Sequence, residues 1–185
     1  SAGEHISGDL VVDAMGRRSP LPEWLALLGG LPPETETSEC NAVSYGRHFQ
    51  IRDGIQFPEG PWLFSPRGDL GYAAFTTFIG DNQTFAVLLL APTWDRELRQ
   101  LRGEEAFMAA CRSIPLLQPL VDPQFAEPIS HVLPMGGLQN TLRNYAPNGR
   151  PVALGVVPVG DAYCHTDPSF ALGLSMSLIH PVELA

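Results

Sequence analysis

The chain has 185 residues, 44% hydrophobic and 17% charged, which fits one globular domain with a real core and leaves room for a small second one. Its formal net charge of -9 argues against nucleic acid and anionic membrane surfaces as partners, because both repel an acidic protein. The three cysteines, Cys40, Cys111 and Cys164, are odd in number, far apart and without CxxC spacing, so no disulfide framework and no metal site is expected, and a reducing cytoplasm is.

Residues Asp9 to Ala14 read as a short apolar strand that turns at Gly16 to Ser19. Pro22 to Leu28 reads as a short helix stopped by Gly29-Gly30. Residues 31–39 (LPPETETSE) read as loop. From Asn41 to Arg52 the side chains alternate: Val43, Tyr45, Arg47, Phe49 and Ile51 share one strand face, and Ser44, His48 and Gln50 the other. Residues 69–79 and 83–91 form a second strand pair, joined by the hairpin chemistry of Gly80-Asp-Asn82. The apolar run from Phe85 to Pro92 is far short of the ~20 residues that span a bilayer, and no secretory signal is read.

Residues 103–113 read as a helix with Phe107, Ala110 and Cys111 on one side, and Pro115 to Val121 as a second short one. Residues 129–135 read as a strand weakened by Pro134. Gly136 to Pro151 reads as mostly irregular, Val152 to Val159 as a strand, and Phe170 to Leu184 as a helix kinked or ended by Pro181. The order predicts an α+β fold in which the strands near either end share one subdomain and an antiparallel sheet is inserted between them.

The stretch VGDAYCHTDPSFALGLS (residues 159–175) places an acidic residue at the carboxyl end of a strand between two very small neighbours. Such a carboxylate can accept hydrogen bonds from sugar or polyol hydroxyls, and small residues let the backbone approach a ligand. The helix that follows offers free N–H groups suited to phosphate or to a ring carrying negative charge. From spacing alone, an ordinary strand–turn–helix corner with an Asp near the cap is the reading the residues favour.

The segment from Gly160 to Gly173 resembles the GDA…P…G segment of FAD-dependent aromatic-hydroxylase-type monooxygenases, the para-hydroxybenzoate hydroxylase superfamily. Asp9-Leu-Val-Val-Asp-Ala-Met-Gly-Arg-Arg-Ser19 looks like that family's second motif, a strand leading to a small-residue turn followed by Arg and Ser. The resemblance implies that residues 1–30 and 151–185 are parts of an FAD-binding domain and residues 31–150 a substrate-binding domain with an antiparallel sheet. It implies that Asp161 hydrogen-bonds the ribityl chain of FAD, with Gly160 and Ala162 as its small neighbours and Pro168 near the flavin ring. It implies that Gly173 and Leu174 begin a helix facing the ring's pyrimidine edge, and that Gly16 and Arg17 border the cofactor.

The departures are Ala171-Leu172-Gly173 where the family often has Gly-Gln-Gly, Met15 in the place of an acidic residue, and the lack of a G-x-G-x-x-G fingerprint. The missing fingerprint implies a fragment that is inactive alone. The intact protein is expected to use FAD, O2 and NAD(P)H to hydroxylate or epoxidise an apolar small molecule. The alternatives are a small-molecule binding module without redox activity and a flavin halogenase or dehydrogenase. Trp62, Phe64, Tyr72, Phe75 and Phe78 line an apolar pocket or pack the core. Arg47 and His48 face substrate or an exposed strand surface, and Cys164 is a buried thiol beside the cofactor loop.

Overall fold

The computed structural model describes residues 6–59, 65–168 and 172–184. Trp62, Phe64, Phe170 and Ala171 lie outside the described residues. The elements in chain order are β1 (Val11–Asp13), α1 (Leu21–Leu27), β2 (Glu34–Glu39), β3 (Ala42–Ile51), β4 (Arg67–Asp69), β5 (Ala74–Ile79), β6 (Thr84–Pro92) and α2 (Glu104–Ser113), followed by β7 (Ala126–Pro128), β8 (Leu133–Met135), β9 (Gln139–Asn144), β10 (Val156–Pro158), β11 (Cys164–His165) and α3 (Leu172–Leu184). They divide into two compact units, Ser1–Cys40 with Gln139–Ala185, and Asn41–Leu138. Among the described residues, no helix is long and apolar enough to cross a membrane.

The Asn41–Leu138 unit is a six-stranded antiparallel sheet in the order β4-β5-β6-β3-β7, with β8 also paired to β3. On the face read in β3, Tyr45, Arg47, Phe49 and Ile51 are buried; on the other, His48 is exposed while Ser44 is buried as well. Register carries the same face across the sheet, where Phe49 pairs with Phe85 and Tyr45 with Leu89. The Phe49 and Phe85 rings stack with centroids 5.1 Å apart. One helical turn apart on α2, Phe107 and Cys111 close over this face. Full burial of each such aromatic contributes roughly 1.5–3 kcal/mol. Glu104 and Glu105 lie in the first turn of α2 and Arg112 in its last, each charge matched to the helix dipole.

Several elements differ from the sequence reading. Residues 31–39 contain a strand, β2, and the stretch read as irregular contains its antiparallel partner β9. All six β2 side chains are exposed, so no apolar period marks it; its pairing rests on backbone hydrogen bonds. The segment 69–79 is broken by a turn in which Leu70 N–H donates to the Ala73 carbonyl and Gly71 takes φ +82°, creating the extra hairpin β4–β5. The strand expected over 129–135 shrinks to β8, where Pro134 sits on an edge that needs no donor from it. The run Val152 to Val159 is strand only over Val156–Pro158, because Gly155 at φ +75° bends the chain before it. Pro115 to Val121 is a 3-10 turn over Gln118–Val121. Pro181 does not end α3, which continues to Leu184.

The other unit holds a parallel pair, β1 with β10, and a three-stranded antiparallel sheet, β11-β9-β2. Its α1 stops where Gly29 N–H donates to the Ala26 carbonyl and Gly30 N–H to the Leu25 carbonyl. Gly29 takes φ +80° there, the left-handed stop that glycine supplies without strain.

Candidate functional site

The parallel register of β1 and β10 sets Asp13 beside Pro158, and Val159 N–H donates to the Asp13 carbonyl at 2.9 Å. The turns that follow the two strands therefore leave from the same carboxyl end, where ligands bind in parallel sheets. Asp13 is buried, and both of its carboxylate oxygens are used. Oδ1 accepts from Met15 N–H at 3.0 Å and Oδ2 from the Ser19 hydroxyl at 2.5 Å. The Ser19 Oγ in turn accepts from Leu21 N–H at 3.1 Å, the start of α1. One carboxylate thus ties the Met15–Ser19 turn together.

Within that turn Gly16 takes φ +76° and Arg17 points its side chain to solvent. After β10, Gly160 takes φ +56° and opens a 3-10 turn, Gly160–Ala162. Its N–H donates to His180 Nδ1 on α3 at 2.9 Å, which leaves the ring's other nitrogen to carry the proton in the neutral form. A methyl group built on Gly160 would stand 3.0 Å from Ser177 Oγ, so small size is demanded there by the neighbouring helix as well as by φ. Tyr163 meets the His180 ring edge-on at a centroid distance of 5.3 Å.

Arg143 on β9, unnoticed in the sequence, joins the two turns. Its guanidinium donates to the Arg17 carbonyl at 2.9 Å and to the Asp161 and Ala162 carbonyls at 3.2 Å each. These partners are backbone oxygens, so no residue type in either motif announces the bond. Among the described residues its positive charge meets no carboxylate within ion-pair distance.

The expected cofactor residues fall into two groups. Gly160, Asp161, Ala162 and Gly173 come together: a methyl group on Gly173 would lie 3.8 Å from Asp161 Oδ1, in the first turn of α3. Gly16 and Arg17 are tied to them through Arg143. Pro168 and Leu174 are both exposed. Arg47 is not directed to an open surface; it is buried on the core face of β3 and ion-paired to Glu104 at 2.7 Å. Phe75 is buried in the core, while Tyr72 and Phe78 are exposed.

Charge and burial set the titration of the loop that follows. Burial lowers the pKa of His165, and Arg143 and Arg17 add to the fall against the opposing pull of Asp161. The imidazole is therefore neutral near pH 7. Burial raises the Cys164 thiol, and Asp161 raises it further, so it carries a proton and is a poor nucleophile. Burial pushes Cys111 up to about 12.

No protein-family model matches the chain. It is 31% identical over 188 residues to Protein Rv3254 of Mycobacterium tuberculosis, which covers 98% of this chain and 37% of that protein. The myxobacterial chondrochloren halogenase CndH, described as an FAD-dependent halogenase, superposes with a TM-score of 0.64 at 16% identity, covering 92% of this chain and 37% of that one. CabE, an aromatic hydroxylase from angucycline biosynthesis, superposes with a TM-score of 0.55 at 16% identity, covering 95% and 31%. The chain thus spans between 31% and 37% of the length of each of these proteins, and over that part it has the α+β fold of FAD-dependent halogenases and aromatic hydroxylases.

Proposed function

We propose that the unit made of residues 1–40 and 139–185 contributes part of a flavin-binding site, and that the intact protein uses FAD to oxidise an apolar small molecule. The observation that carries this reading is the juxtaposition of the Asp161 carboxylate with Gly173 in the first turn of α3. Among the described residues that carboxylate accepts no hydrogen bond, so it is available to hydroxyls of a ribityl chain. Gly173 carries no side chain to cover the space next to it. Gly160 and Ala162 keep the turn compact, and Arg143 fixes its spacing from the Gly16–Arg17 turn. Arg143 also brings positive charge next to the Asp161 turn, which suits an electron-rich ring. Bound FAD would supply the redox chemistry, passing electrons from reduced nicotinamide to O2. Pro168 and Leu174, both exposed, would border the ring.

The substrate surface in this reading is the open face of the six-stranded sheet. Register lines up Ala74, Leu90, Ser44 and Met135 in one row and Thr76, Leu88, Gly46 and Leu133 in the next. This face is mostly apolar, with Thr76 and the buried Ser44 as its hydroxyls, which suits an apolar molecule. Hydroxylation or epoxidation is the reaction we favour. Halogenation is the second reading, supported by the likeness to CndH. The two are separated by the product formed with halide present or withheld. The three unpaired cysteines fit a reducing cytoplasm.

The test is flavin content. Protein expressed from its whole natural gene should carry FAD, and Asp161→Ala should lose most of it while retaining the folded protein's circular dichroism. Full flavin occupancy in that variant would remove Asp161 from the site.

A further inference from the structure

Among the described residues the Asp161 side chain accepts no hydrogen bond, so its carboxylate stands where the backbone of its turn puts it. That turn opens on Gly160 at φ +56°, and a glycine without restraint samples many other backbone conformations. Two side chains restrain this one. The Arg143 guanidinium holds the carbonyls of Asp161 and Ala162 at 3.2 Å each. From the other side, His180 Nδ1 accepts the Gly160 N–H at 2.9 Å. His180 shares one face of α3 with Gly173 and Ser177, each about one helical turn from the next. Gly173 lies beside Asp161 Oδ1 and Ser177 beside Gly160. Ser177 does not make the link itself, because its hydroxyl donates back to the Gly173 carbonyl at 2.9 Å. Among the described residues His180 is thus the one side chain of α3 that hydrogen-bonds to the turn. The Tyr163 ring meets the imidazole edge-on, at 83° and 5.3 Å between centroids, and limits its rotation.

We infer that His180 is a positioning residue of the cofactor site: by accepting the Gly160 N–H it locks the glycine and sets the Asp161 carboxylate against Gly173. The inference rests on the flavin reading above and adds to it the residue that fixes its geometry. The chemistry required is narrow. The bond needs an acceptor attached to Cγ, and a neutral imidazole supplies one at Nδ1 only when its proton sits on Nε2. Asparagine carries its Oδ1 on Cγ as well, so it can accept the same N–H, whereas leucine accepts nothing. Gly160 is buried, so its amide without that acceptor loses a hydrogen bond that water does not replace. A turn released in this way has to be ordered again by the ligand, and that cost is read as weaker binding.

The experiment uses protein expressed from its whole natural gene and freed of flavin. FAD affinity is measured by fluorescence titration for the unaltered protein, His180→Leu and His180→Asn, with denaturant unfolding of each flavin-free protein alongside. His180→Leu should weaken FAD binding roughly 10-fold, the equivalent of one lost hydrogen bond, and His180→Asn should recover most of that affinity. Equal affinity in all three proteins, whatever happens to unfolding, overturns the inference and leaves the flavin reading standing. A loss in His180→Asn as large as in His180→Leu overturns it too. Unaltered protein that takes up no FAD overturns the flavin reading and the inference with it. A measurement on the unaltered protein guards against variants that misfold. Nitrogen NMR of histidine-labelled protein, with the His180 signal assigned through its contact with the Tyr163 ring, should show a neutral imidazole bare at Nδ1. A proton on Nδ1 overturns the inference.

Discussion

The guanidinium of Arg143 donates to the backbone carbonyl of Arg17 at 2.9 Å across 126 positions of sequence, and the same group holds the carbonyls of Asp161 and Ala162. One side chain therefore fixes the distance between the two turns that leave the carboxyl ends of β1 and β10. Replacing it with Met keeps the aliphatic stem and leaves three carbonyls without their donor. Hydrogen bonds to charged groups are worth about 1.5–3 kcal/mol each, but the three share one group and do not add, so Arg143→Met should cost roughly 3 kcal/mol in denaturant unfolding. Arg143→Lys cannot reproduce the fork and should recover less than half of that. A loss within about 0.5 kcal/mol for Arg143→Met, the range of ordinary surface substitutions, would show that the clamp does not hold the turns.

Gly160 and Gly16 both take positive φ, but only Gly160 has a neighbour close enough to collide with a side chain. Both Gly160→Ala and Gly16→Ala should pay the backbone strain of about 1 kcal/mol. Gly160→Ala should cost measurably more, because its methyl would meet Ser177 Oγ at 3.0 Å. Combining it with Ser177→Ala should return the steric part and leave the strain. Equal losses for the two glycines would contradict this account of the site, and thermal unfolding of the variants decides the matter.

How much of this was legible in the sequence follows from which interactions have side-chain signatures. The strand of β3 announced itself because Tyr45, Phe49 and Ile51 alternate with His48 and Gln50, and the core uses that alternation. The Gly160-Asp-Ala turn announced itself because small residues flank a carboxylate after an apolar run. The pairing of β2 with β9 did not, because Glu34–Glu39 is exposed throughout and its register is held by backbone groups that every residue possesses. Arg143 was invisible for the same reason: it lies in a polar stretch and all its acceptors are carbonyls. Asp13 was read as part of a strand, whereas its side chain organises the turn after it, a role set by burial that composition does not reveal.

The loop after the turn should also make the protein sensitive to mild acid. His165 is faced by Asp161, Arg143 and Arg17, and its folded pKa lies below the 6.5 of an ordinary histidine because burial disfavours its charged form. The unfolded chain then binds a proton that the folded chain does not, so stability falls as pH drops through about 6.5 toward the folded value. His165→Asn should flatten the pH dependence of denaturant stability as pH falls below 6.5, while leaving the loss below pH 4.5 that comes from the depressed Glu104 carboxyl, held down first by its hydrogen bond to His131. A pH profile unchanged by His165→Asn would assign the acid sensitivity elsewhere.

The central claim is that Asp161 and the start of α3 grip one cofactor together. Hydrogen exchange of protein expressed from its whole natural gene, measured with FAD bound and after its removal, tests this directly. The account predicts that FAD slows exchange both in the Gly160–Ala162 turn and in the first turn of α3 around Gly173, and that Asp161→Ala abolishes the two effects together. Binding of FAD that leaves both segments unchanged while protecting others would contradict it.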